Sequence, residues 1–179
     1  MTSKQQGVLR GMLAALALVL GGLGLAVALR PAALLPDGDD PGSRLAWAAA
    51  WLLPAALCLV ITIGRLARHR FRTPDDIDGS GLTQGTEDAR LMQAVLQNTL
   101  EQVLLAALTY GAYAARMPRG WLAALPAAAA LFLVGRLLFI AGYRRGAPGR
   151  ALGFALTFYS SVVLAIAALV AAIGRLAGA

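Results

Sequence analysis

Five apolar runs, each about as long as a bilayer is thick, restrict what this 179-residue chain can fold into. They cover roughly residues 8–29, 45–66, 89–115, 121–143 and 151–173. A helix needs about 20 apolar residues to cross a membrane, and no strand-like alternation competes with the helical reading. Only 14% of the residues are charged, 59% are hydrophobic, and the mean hydropathy is +0.68. A soluble domain carries about 25% charged residues, so lipid is the natural solvent. The expected fold is an all-α integral membrane protein with five spans. Pro54 and Pro126 fall inside spans, which membrane helices tolerate where neighbouring groups satisfy the freed carbonyls.

The connections carry turn residues and most of the charge. Residues 31–43 form a short acidic loop, and residues 65–86 form the longest connection, basic at first and then rich in Gly, Asp and Thr. Residues 116–120 make a tight turn at Pro118, and residues 144–150 read as a short basic loop carrying Arg150. With the N-terminus placed in the cytoplasm, Lys4, Arg10, the run from Arg65 to Arg72, Arg90, Arg144, Arg145 and Arg150 lie inside. Arg30, Arg44, Arg116, Arg119 and Arg175 lie outside. This bias favours a cytoplasmic N-terminus and an external C-terminus, with Trp47, Trp51 and Trp121 at the outer interface. Ala26-Val27-Ala28 resembles a signal-peptidase site, but the preceding apolar stretch exceeds the usual core of about 7–15 residues, so the first span is read as a retained helix. Residues 1–43 then form an N-terminal helix and loop, and residues 44–179 a four-helix membrane domain.

Composition also excludes function classes. The net charge of +7 comes from arginines between apolar runs, with no aromatic–basic RNA motif or recognition helix, so no nucleic-acid partner is expected. A single cysteine, Cys58, permits no intrachain disulfide. One cysteine and one histidine, His69, make a structural metal site unexpected. Heavy use of Ala, Leu, Gly and Arg fits a bacterial chain, and so a bacterial inner (plasma) membrane. The glycines Gly21, Gly22 and Gly24, and the pair Gly149 and Gly153, are expected to permit close helix contact.

The third span opens with polar residues, Gln93 and then Gln97-Asn98-Thr99-Leu100-Glu101. Spacings of three and four place Gln97, Asn98 and Glu101 on one helical face. A carboxylate facing lipid is costly, so this patch should face protein, water or a polar ligand. Arg136, inside the fourth span, is a candidate partner for Glu101, and Tyr143 follows two turns later on the same face. Two readings stand side by side here: an anionic ligand held by arginines near the cytoplasmic interface, or a Glu–Arg pair that locks the bundle.

In order and spacing these segments resemble the MAPEG family, the membrane-associated proteins in eicosanoid and glutathione metabolism. The resemblance rests on Gln97-Asn98-Thr99-Leu100-Glu101, the turn at Met117-Pro118, Gly135-Arg136, Ala141-Gly142-Tyr143 and Arg150. The basic end of the second span, from Ala67 to Arg72, adds to it, and the whole covers residues 45–173. It implies a left-handed four-helix bundle, a homotrimer, and, in the enzymes, glutathione bound at subunit interfaces near the cytoplasmic side. Asn98 and Glu101 match residues that hold the tripeptide backbone, and Tyr143 a tyrosine that contacts it. Arg136 matches a buried arginine, Arg68 an arginine from the neighbouring subunit, and Arg150 the arginine that stabilises the thiolate. Gln97 belongs with the ligand-holding patch. The chain departs from the family pattern at Ala94 and Phe139, where arginine and a tyrosine or histidine are common, and at Gln102, where some members carry an aromatic residue. The first span has no counterpart.

The expected function is a membrane-bound, glutathione-dependent transferase or peroxidase acting on lipophilic small molecules, with Arg150 catalytic. The alternative is a non-enzymatic protein of the same fold that binds a lipid or a partner protein. A transporter is disfavoured, because neither an inverted repeat nor a broken-helix pair is evident.

Overall fold

The computed structural model describes residues 1–79 and 81–177, and their architecture is helical throughout. Five long helices follow in chain order: α1 (Ser3–Leu29), α2 (Pro41–Arg72), α3 (Glu87–Arg116), α4 (Ala124–Gly142) and α5 (Gly146–Ala177). Short 3-10 turns lie in each connection.

The helix starts follow from their capping residues. Thr2 and Gln5 form a reciprocal capping box on α1. Asp40 accepts from Ser43 N at the start of α2, with Pro41 in the first turn. Thr86 caps α3 and is followed by Glu87 and Asp88, which suit the positive end of a helix dipole. Gly146, at φ +76°, supplies the backbone that α4 and α5 need to fold back on each other.

Three stretches are long and apolar enough to cross a membrane: Ser3–Leu29, Pro41–Arg72 and Arg119–Ala177, the last folded into α4 and α5. The first half of α3 is more polar because it carries the patch. Leu53, Leu57, Leu104, Leu108, Leu169 and Val170 project outward, a pattern suited to lipid contact. The shared core includes Tyr110, Tyr113, Leu122, Leu125, Phe132, Leu156 and Leu164, all almost fully buried.

Two expectations about helix ends and helix contacts change. Residues 144–150 are not a loop, because α5 begins at Gly146 and Arg150 stands on its first turns; Pro148 lacks an N–H, and an N-terminal turn does not need one. Gly21 and Gly24 meet no neighbouring atom, and Gly22 only the tip of Leu131, so this glycine cluster does not make the close contact. Gly7 and Gly11 do. A Cβ on Gly7 would lie 3.0 Å from Pro148 Cβ, and one on Gly11 3.0 Å from Leu152 N. Ala15, Val19, Leu23 and Ala26 continue the buried stripe of α1. Gly149 and Gly153 behave as expected: a Cβ on Gly153 would lie 2.6 Å from Gly135 O, and one on Gly149 2.9 Å from Gly142 O.

Arginines tie down one end of the bundle. Arg44 donates through Nε to Ala114 O at 2.8 Å and through its guanidinium to Met117 O, and it pairs with Asp39. Arg175 donates to Arg116 O at 2.7 Å. These cations satisfy carbonyls at and just beyond the C-terminus of α3, where a positive charge also suits the helix dipole.

Candidate functional site

Arg136 is fully buried, an expensive place for a charge. Glycines make room for it: Gly135 and Gly153 bring the backbones of α4 and α5 together. One guanidinium nitrogen then donates to Asn98 Oδ1 at 2.9 Å and the other to Thr157 Oγ1 at 2.8 Å. The Phe139 ring lies 4.4 Å from the guanidinium carbon, within cation–π range. The Arg136 Nε has no hydrogen-bond partner among the described residues. Three helices thus meet at one cation surrounded by neutral groups.

The expected Glu101–Arg136 pair is not formed. Glu101 is exposed and accepts from Gln97 Nε2 at 3.0 Å, one turn away on α3. Asn98 is rotated far enough from both to face α4 and α5. Spacing placed the three residues on one broad face, whereas helix packing divides that face. Thr157, the second partner of Arg136, is a residue that sequence reasoning missed. Its signal was weak, one of several hydroxyls, with Tyr159, Ser160 and Ser161, in an otherwise apolar run.

Beside this cluster lies a cleft of about 290 Å³, lined by Val8, Asn98, Phe139, Tyr143, Ala147, Arg150, Ala151 and Phe154. It brings Asn98, Tyr143 and Arg150 together. The Arg150 guanidinium lies 4.4 Å from the Tyr143 ring centroid, and Tyr143 packs edge-on against Phe139 at 5.2 Å. Stacking fixes the guanidinium plane and leaves its N–H groups free to donate. Because Arg136 takes the oxygen of Asn98, the two amide N–H bonds remain for the cleft. No carboxylate lines it among the described residues, so the cleft suits an anionic ligand with an apolar portion.

Gln97 does not line this cleft. With Arg70, Arg90, Gln93 and Ala94 it borders a separate cavity of about 340 Å³ beside the connection from α2 to α3. That connection is held by Asp76, which accepts from Thr86 N and Thr86 Oγ1 at 2.7 Å and meets His69 Nε2 at 2.8 Å. The Thr86 hydroxyl, the Thr86 N–H and His69 hold the Asp76 carboxyl below the usual carboxylate range. Arg68 is exposed on α2 and lines neither cavity.

Residues 40–170 match the model of the MAPEG family. The chain belongs to that family. It is 34% identical over 128 residues to an uncharacterized protein of Synechocystis sp., covering 67% of this chain and 81% of the relative. No solved structure matches it. MAPEG membership makes the bundle a family membrane fold, and α1 ends before the matched region begins.

Proposed function

We propose that this MAPEG protein binds glutathione and uses it on lipophilic electrophiles or hydroperoxides, and that Arg150 stabilises the thiolate. The cleft itself carries this reading: a stacked arginine, an asparagine with two available N–H donors and a tyrosine, with no acid among them. When bound, glutathione supplies a nucleophilic thiolate to a second substrate arriving through the bilayer. A thiol of pKa about 8.5 is mostly protonated at neutral pH, and a guanidinium within contact lowers that value. Asn98 donates to a ligand carbonyl or carboxylate, and Tyr143 holds the guanidinium plane. Arg136 holds Asn98 in turn and adds positive potential behind it.

The proposal includes a homotrimer in a bacterial inner membrane, with the N-terminus cytoplasmic. Arg90, Ala94, Gln97 and Glu101 form an exposed stripe on α3. A carboxylate facing lipid is costly, so a neighbouring copy is the natural cover. Glu101, Gln97 and a neighbour's Arg68 then reach the ligand across that interface. The departures at Ala94 and Phe139 favour the second reading, a non-enzymatic binder of a lipid or a protein.

Thermal unfolding in detergent separates the two. Glutathione at about 100 times its Kd stabilises a specific site by about 2.7 kcal/mol. A midpoint that rises with glutathione, and not in Arg150→Gln, supports the enzyme reading. A midpoint insensitive to millimolar glutathione leaves the non-enzymatic one.

A further inference from the structure

Val8, in the lining of the cleft, comes from α1. The other lining residues come from α3, from the end of α4 and its turn, and from α5, all within the family-matched region. Two glycines fix its position. Gly7 sits against Pro148, and Gly11 against Ala151 and Leu152, so the first turns of α1 lie directly on the first turns of α5. These are the turns that carry Arg150. Ala147 and Ala151, the α5 residues flanking Arg150 in the lining, are small, which lets α1 come this close.

We propose that α1 is a structural part of the binding site and that Val8 is a specificity-determining residue. The polar side of the cleft, made by Asn98, Tyr143 and Arg150, holds the anionic portion of the ligand. The apolar part of the lining, made by Val8, Phe154 and Phe139, sets the size of the apolar group that lies beside it. Apart from the identity of the anion, which rests on the proposed function, the inference depends only on the geometry of α1 and α5.

Two kinds of variant test it in the full-length protein. In the first, Cys58→Ala removes the native thiol, and a single cysteine is placed at Val8 or, for comparison, at Leu9, which is 41% exposed on the outer side of α1. Each is labelled with an anionic and a cationic methanethiosulfonate reagent. Val8→Cys should prefer the anionic reagent several-fold relative to Leu9→Cys, and Arg150→Gln should remove that preference. S-methylglutathione, a glutathione analogue with no free thiol to consume the reagent, should slow labelling at Val8→Cys and not at Leu9→Cys. A preference that depends on Arg150 without protection by this analogue supports the α1 wall and removes glutathione as the ligand. Labelling at Val8→Cys that ignores Arg150, or no labelling there at all, overturns the wall whatever the analogue does. In the second, Val8→Trp should lower kcat/KM for a bulky lipophilic electrophile about tenfold more than for a small one. Equal losses for both electrophiles would overturn the specificity role.

Discussion

Arg136 and Arg150 carry the same charge within one corner of the bundle but live in different surroundings. Arg136 is sealed between three helices, with Asn98 and Thr157 as hydrogen-bond partners and Phe139 against its face. Arg150 is half-buried, lies over one tyrosine ring and borders an open cleft. The first guanidinium spends two of its nitrogens on holding the bundle and Asn98 in place. The second has donors to offer. Removing Arg136 should therefore damage the fold, whereas removing Arg150 should damage only binding.

The largest effect is expected at Arg136. Arg136→Ala leaves a cavity and strips Asn98 and Thr157 of their donor, so thermal unfolding in detergent should show a loss of about 2–5 kcal/mol. Arg136→Met, which fills most of the space and removes the buried charge, should recover part of that loss. If the alanine variant were as stable as the parent, the contrast between the two arginines would be lost.

Gly153→Ala should come next. The added Cβ has no room against Gly135 O and the Phe139 backbone, and overpacking of this kind costs about 1–3 kcal/mol. Because the same contact places Phe139 and Thr157 beside Arg136, the variant should weaken both arginine sites together. Arg150→Ala should change stability by no more than about 0.5 kcal/mol, yet lower anionic-ligand affinity about tenfold or more through a lost charge-assisted hydrogen bond. Isothermal titration beside a melting curve reads the two quantities separately.

The smallest effect is expected away from both arginines, at Asp76. A carboxyl held below its ordinary value contributes stability that is complete above about pH 4 and is lost as the pH falls through the folded value. Acid should therefore loosen the connection from α2 to α3 before the bundle melts, seen as faster hydrogen exchange at Thr86 and Ala89. Asp76→Asn should show that faster exchange at neutral pH and little further change in acid.

Much of the fold was legible because its dominant force is one-dimensional. Apolar runs of bilayer length separated by Pro, Gly and Arg specify helices and their order whatever the packing. The family motifs likewise brought Asn98, Tyr143 and Arg150 into one cleft. What spacing could not supply was the rotation of each helix about its own axis. A modest turn of α3 decides whether Asn98 or Glu101 meets Arg136, and both lie within the same broad face. Helix α1 poses the same problem in another form. Gly21, Gly22 and Gly24 look like a contact motif, but contact needs a facing partner, and the small residues of α5 face Gly7 and Gly11. Gly146, Pro148 and Gly149 resemble a turn in sequence and so point to a loop at Arg150, although Pro148 and Gly149 sit comfortably in a helix's first turn.

The central claim is that the cleft beside Tyr143 stabilises a glutathione thiolate through Arg150. The most direct measurement is the ultraviolet thiolate absorbance of glutathione on the purified protein, titrated against pH, for the parent and for Arg150→Gln. The account predicts saturable binding to the parent with a thiol pKa clearly below the free value of about 8.5, and a pKa returning toward that value in Arg150→Gln. An unshifted thiol in the parent, or an equal shift in both proteins, would contradict it.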